Sequence, residues 1–193
     1  NAVYDRLIEV GRTYGLLPAG MDALDVSRVE AGFIMNGVDY FSANHCMIED
    51  RKDSPYELGL GWAVKLDRDP FVGQAALGEE KARGPARLFV GLDVDWVETE
   101  RLFASYGLPP EIGTAAWRDG RPVYDGTGEW VGMATSGAWS PTLKKNLALA
   151  QVRSNLAKPG TKLQLEMTVE YHRHTVTATV CKLPFYDPPR KRA

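Results

Sequence analysis

Val3, Leu7 and Val10 recur at helical spacing and form one apolar stripe, which predicts a helix capped by Asn1, running to Tyr14 and stopped by Gly15. A turn carrying Pro18 and Gly20 follows. Leu24, Val26 and Val29 then stand against the polar Asp25, Ser27 and Arg28, a pattern that reads as a half-buried strand ending at Glu30 and the small pair Ala31–Gly32. A helix followed by such a strand resembles the second half of a split βαβ unit. Residues 40–53 form a polar loop with a mildly apolar centre at Cys46–Ile48. Gly59–Leu66 reads as a strand bearing Trp62. Asp69 is then expected to cap a helix with Pro70 in its first turn, continuing through Ala75, Leu77 and Lys81 to Gly84.

From Arg87 the period shortens. Leu88–Val94, Thr114–Trp117, Pro122–Tyr124, Trp130–Thr135, Leu147–Val152, Lys162–Val169 and Thr175–Leu183 read as strands separated by turn signals such as Asp119–Gly120, Asp125–Gly126 and Pro159–Gly160. Seven strands at that spacing predict a small antiparallel barrel or jelly roll. The fold class is therefore α+β, with one domain over 1–85 and a β-barrel domain over 86–193. A short helix at Glu98–Tyr106 interrupts the strands, and Thr135–Leu143, TSGAWSPTL, is expected to form a tight functional loop.

Composition narrows the function classes. Hydrophobic residues make up 44% and charged residues 25% of the 193 positions, the values of an ordinary globular protein. A net charge of -2 supplies no field to gather nucleic acid or anionic lipid, and the basic tail Arg190, Lys191, Arg192 reads as a solvated terminus. No apolar run is long enough to span a bilayer, and no export signal is visible. Two cysteines in unrelated contexts leave no disulfide framework and make a reducing cytoplasm the default. His172 and His174 alternate along a strand, yet no acid or thiol stands at a ligand spacing from them, so no metal site is assigned.

Glu30 is the leading functional candidate. An ionised carboxylate accepts two parallel N–H bonds from one planar edge, such as an amidine, guanine or pterin presents. Its competing structural role is an ion pair with Arg28 or another cation. His45 is a loop histidine suited in principle to acid–base work. Trp139 suits stacking on an aromatic ligand or capping the barrel.

Taken together, LDVSRVEAGF, ELGLGWAVKLDRDPFVGQAAL, VGMATSGAWSPTLKKNLALAQV, PGTKL and KLPFY resemble the aminomethyltransferase family, which includes the T-protein of the glycine cleavage system. The blocks occur in the family's order over most of residues 16–186. The resemblance implies tetrahydrofolate at the centre of a three-domain cloverleaf, with one-carbon transfer to it from a methylated or aminomethylated donor. Two thirds of that cloverleaf would be present: the C-terminal part of the folate-binding domain, residues 1–85, and the barrel, 86–193. Glu30 would hold the pterin. Arg68, six residues after Trp62, matches the family's anchor for the glutamate tail, and TSGAWSPTL, with Trp139, would face the folate channel. Tyr186 or Arg190 would reach the site from the C-terminal segment. A small-molecule methyl or aminomethyl donor, a lipoyl carrier protein and an N-terminal portion of the same protein are the partners this resemblance brings into view.

The family's catalytic aspartate belongs to a segment that precedes everything matched here, so no residue of the chain is assigned as catalytic. The expectation is the C-terminal portion of a longer transferase or demethylase, or, were the chain complete, a folate-binding remnant. Asn36 stands where T-proteins commonly carry tyrosine, and 40–53 and 95–113 read as insertions. Two other readings remain. One is a folate-binding protein that supports iron–sulfur enzymes, although the reactive cysteine of that group is missing from the Arg68–Gln74 block. The other is the C-terminal part of a flavin-dependent dimethylglycine- or sarcosine-oxidising fusion, for which no Gly-rich fingerprint occurs in these residues.

Overall fold

The computed structural model describes residues 1–44 and 46–189. His45, Arg190 and the rest of the basic tail lie outside the described residues. Helices α1 (Ala2–Gly11), α2 (Met21–Glu30) and α3 (Gln74–Arg83) precede strand β1 (Arg87–Val94). Helix α4 (Trp96–Ser105) and strands β2 (Arg121–Tyr124), β3 (Trp130–Ser140), β4 (Lys145–Arg153), β5 (Lys162–Val169) and β6 (His172–Cys181) complete the chain.

The six strands close into an antiparallel barrel in the order β1-β4-β3-β2-β5-β6, with β6 returning to β1. Strand alternation sorts the barrel's side chains. Val90, Leu92 and Val94 of β1 and Ala148, Ala150 and Val152 of β4 fill the interior with Leu163, Leu165, Val176, Ala178 and Val180. Leu147 and Leu149 point the other way and meet Val29 of α2, together with Phe89, Leu183 and Phe185. Strand β4 is therefore apolar on both faces, because one lies inside the barrel and the other lies under α2.

Among the described residues six strands form where seven were expected. Thr114–Trp117 contributes a single bridge, Trp117 to Gly137, and β3 runs on to Ser140 instead of ending at Thr135. TSGAWSPTL is thus mostly strand, and only Pro141–Lys144 turns. The register slips between Ala134 and Ser136, which leaves Thr135 as a bulge. That extra residue sets the phase of everything after it: Ser136, Ala138 and Ser140 share the outward face with Leu149 and Leu147, while Gly137 and Trp139 turn to the barrel's end.

The first 86 residues depart further from expectation. The expected Leu24–Glu30 strand is helix α2, which buries Asp25, Arg28, Val29 and Glu30 while Met21 and Leu24 stay exposed. The buried stripe has helical spacing but is largely charged, so apolar alternation was the wrong signal. Glu-Ala-Gly is the helix's C-terminal cap. Gly32 adopts φ +67°, Phe33 N–H donates to the Arg28 carbonyl at 2.8 Å and Gly32 N–H to that of Val29 at 2.9 Å, a Schellman closure. The small residue at position 32 accommodates Leu183, which a Cβ would approach to 3.2 Å, rather than a ligand.

Gly59–Leu66 is not a strand. Gly59 has φ +73°, and Tyr56 packs so closely on Gly61 that a Cβ would lie 2.7 Å from its ring, so the chain coils into a 3₁₀ turn at Gly61–Ala63. Helix α3 starts at Gln74, after Gly73 at φ +91°, and not at Pro70. Helix α1 forms but ends at Gly11 and takes no side-chain cap bond from Asn1; a 3₁₀ turn carries the chain to Tyr14, where Gly15 is left-handed as expected, and α1 buries none of its residues. Helix α4 begins two residues earlier than Glu98, where Asp95 caps the Glu98 N–H at 2.9 Å.

Candidate functional site

Helix α2 lies across β3 and β4, and its last turn places Glu30 over the outward end of β3. Ser140 Oγ donates to Glu30 Oε1 at 2.5 Å and Thr142 Oγ1 to Oε2 at 3.2 Å. Ser140 is itself positioned by the Leu143 N–H, which donates to its oxygen at 2.9 Å. Tyr186 N–H donates to the Glu30 main-chain carbonyl at 2.9 Å, so the C-terminal segment closes over the same spot.

The expected alternative for Glu30, an ion pair with Arg28, is not what forms. Arg28 Nε donates to Asp25 Oδ1 at 2.6 Å and Nη1 to Asp39 Oδ2 at 2.6 Å, with a further bond from Nη1 to Ser136 Oγ at 3.1 Å. Asp39 is 1% exposed and also accepts from Met35 N–H, Thr135 Oγ1 and Ser136 Oγ. Arg118 grips Asp25 Oδ2 through Nε at 3.0 Å and Nη2 at 2.9 Å. A continuous Arg118–Asp25–Arg28–Asp39 chain thus pins α2 to the bulge in β3. One donor of that chain, Arg28 Nη2, is buried without a hydrogen-bond partner.

Glu30 is left as a carboxylate 8% exposed that forms no ion pair among the described residues. Its position in the last turn of α2 adds the negative end of the helix dipole. Two neutral hydroxyls satisfy about half of the roughly four lone-pair sites of a carboxylate. A buried anion so placed favours a donor-rich ligand edge.

On the Asp25–Arg28 side of α2, away from Glu30, a cleft of ≈ 290 Å³ is bounded by Met21, Leu24, Phe33 and Met35, with Asp25, Arg28 and Arg118 as its charged members. Phe33 and Leu24 are exposed on its rim.

Of the other expected site residues, Tyr186 joins Glu30 through its main chain. Arg68 is exposed and forms no ion pair among the described residues, with neither Asp67 nor Asp69 as partner, and the structure does not bring it into contact with Glu30. Trp62 is likewise exposed. Trp139 sits on the opposite face of β3 from Ser140 and packs on Trp96, ring centroids 4.7 Å apart. His172 and His174 both meet the Tyr106 ring, and Tyr106 Oη lies 2.7 Å from His174 Nε2. Sequence reasoning missed Asp25, Asp39 and Arg118. The Asp25–Arg28 spacing is a helical ion-pair signal once α2 is known to be a helix, but nothing in the sequence marks Asp39.

The fold and site define a β-barrel protein with a helix-borne, unpaired carboxylate held against the barrel's outer face. A family model described as "Glycine cleavage T-protein C-terminal barrel domain" matches residues 106–187, and one described as "GCVT N-terminal domain" matches residues 1–68. The chain is 37% identical over 190 residues to an aminomethyltransferase of Herpetosiphon aurantiacus, which covers 98% of this chain and 43% of the relative. It is 34% identical over 194 residues to a trimethylamine-oxide aldolase of Ruegeria pomeroyi, covering 100% of this chain and 21% of that protein. The crystal structure of glycine cleavage system aminomethyltransferase T from Bartonella henselae superposes with a TM-score of 0.64 at 24% identity, over 85% of this chain and 38% of that one. The chain belongs to the glycine cleavage T-protein family of aminomethyltransferases. It spans less than half the length of these relatives.

Proposed function

We propose that this chain forms the tetrahydrofolate-binding part of a one-carbon transferase or demethylase. The observation that carries the reading is Glu30: a buried carboxylate whose cationic neighbour is spent on Asp25 and Asp39, leaving it only hydroxyl donors. The edge of a pterin supplies the missing N–H donors. Folate supplies the nitrogen that accepts the carbon unit. The residues of this chain hold and orient it and exclude water from one side.

Arg68, exposed and without an ion-pair partner among the described residues, is available for a tail carboxylate in the complete protein. Tyr186 closes the site through the Glu30 carbonyl. The donor we infer carries its one-carbon unit on nitrogen, as the names of the aminomethyltransferase and trimethylamine-oxide aldolase relatives both indicate. The group that stabilises positive charge at the reacting carbon is assigned to no residue of this chain. A lipoyl carrier is one source of an aminomethyl unit.

Calorimetric titration of the complete protein with tetrahydrofolate tests the reading. Glu30→Gln turns one acceptor into a donor facing a donor, and a loss of about 1–3 kcal/mol in binding is expected. Unchanged affinity would remove Glu30 from the site.

A further inference from the structure

The barrel's end holds a second cavity, on the opposite face of β3 from Glu30. It has a volume of ≈ 430 Å³, within the range of sites that enclose small molecules. Helix α4 forms its lid and is firmly seated: Glu98 takes both the Thr177 N–H at 2.6 Å and its hydroxyl at 3.0 Å, and Leu102, Phe103 and Tyr106 pack onto the barrel core. Three indoles, Trp96, Trp117 and Trp139, line the cavity. Trp117 packs against Gly137, where a Cβ would be 2.4 Å from its ring.

The cationic member is Arg121, the first residue of β2. It shares a face with the fully buried Val123, so it points into the barrel's end. Its guanidinium carbon sits 4.1 Å from the Trp117 ring centroid. Stacking uses the face of the guanidinium and leaves the N–H donors of its edge unused. Among the described residues, those donors form no hydrogen bond or ion pair. Burial lowers the Arg121 pKa, while Asp119 and Glu111 act to raise it. The side chain nevertheless stays charged at neutral pH, so it is a partly desolvated cation without a bonded partner.

We propose that this cavity is a binding site, separate from the Glu30 site, for a small monocarboxylate with a flat apolar body. The carboxylate takes the free edge of Arg121, and the body lies against the indoles of Trp96 and Trp139. Arg121 is the lining's cation, and the acids Asp119 and Glu111 both act on it, which favours a single negative charge over a di- or polyanion.

Benzoate is the probe, with neutral benzamide as its control, and the indole N–H resonances of the full chain are the readout. Benzoate shifts the resonances of Trp96, Trp117 and Trp139 saturably, leaves Trp62 and Trp130 in place, and outcompetes benzamide by roughly tenfold, the worth of one charge-assisted pair. Arg121→Gln brings benzoate down to the level of benzamide. Glu30→Gln leaves the benzoate shifts intact, which separates this site from the folate reading. Equal binding of the two probes to the unaltered chain, or no saturable shift at millimolar concentration, overturns the proposal. So does a preference for benzoate that survives Arg121→Gln. Should that variant fail to fold, the comparison on the unaltered chain decides.

Discussion

Ser140 Oγ lies 2.5 Å from Glu30 Oε1, joining the end of α2 to the end of β3 across most of the chain. The same hydroxyl accepts from the Leu143 N–H, so one side chain serves the acid and the turn that carries Thr142. Ser140→Ala strands a buried carboxylate oxygen and a turn N–H together. We expect a loss of about 1–3 kcal/mol in urea denaturation, with weaker tetrahydrofolate binding. Thr142→Ala, which removes a 3.2 Å contact, costs less, about 0.5–1 kcal/mol. The reverse ranking would show that Thr142 is the principal support of Glu30.

Asp39 holds α2 in place through Arg28, and both side chains are buried. Asp39→Ala leaves the Arg28 guanidinium desolvated with one of its two carboxylates gone, and it takes the carboxylate acceptor from Thr135, Ser136 and the Met35 N–H at once. The expected cost is about 3–5 kcal/mol. Breaking the Arg6–Glu9 pair, exposed at both partners, with Arg6→Ala is expected to cost below about 0.5 kcal/mol. Chemical denaturation of the two variants side by side checks the contrast, and comparable losses would mean that the buried chain does not anchor the helix.

How far the sequence could be read depended on what each element buries. The barrel strands were legible because their interior faces are aliphatic at every second residue, and β5 falls on the expected residues, Lys162–Val169. Helix α2 was not legible: its buried stripe is Asp25, Arg28, Val29 and Glu30, and a pattern reader assigns charged residues to solvent. Pairing within the fold, between Arg28 and two acids, is what makes that stripe buriable. Glu30 was found through motif resemblance, and the structure supplied what resemblance did not: its hydroxyl supports and its lack of a cation. Thr135 marks the other limit. A bulge is set by the pairing of two strands, and no local property of Ala134–Ser136 announces that Ser140 and Trp139 will face opposite ways.

Gly137 is where the barrel strand, Trp117 and the second cavity meet. An added Cβ would lie 2.5 Å from the Leu147 carbonyl oxygen and 2.4 Å from Trp117 Cζ2, and the carbonyl belongs to the barrel's own ladder and cannot turn aside. Gly137→Ala is expected to cost about 1–3 kcal/mol and to move the Trp117 ring from under Arg121. Thermal denaturation combined with near-ultraviolet circular dichroism reads both effects. Full stability with an unchanged aromatic spectrum would show that β3 can open at this point.

Cys181, the last residue of β6, lines a small recess with Asp93 and Lys145. Burial pushes its thiol up from 9.0 to about 11; the negative charge of Asp93 adds to the rise and Lys145 opposes it. A raised thiol pKa keeps the proton on sulfur to higher pH, so the nucleophilic thiolate is scarce at neutrality and appears only as the pH approaches that value. At pH 8 the shift leaves about a hundredfold less thiolate than an unshifted thiol would have. With Cys46 replaced by serine to silence the other thiol, the rate of alkylation by iodoacetamide is expected to climb through pH 9 without levelling. Asp93→Asn removes a raising influence and brings the inflection down, whereas Lys145→Ala removes the opposing one and sends it further up. A rate that levels at or below pH 9 in the otherwise unaltered chain would mean that water reaches the thiol more freely than its place between Asp93 and Lys145 allows.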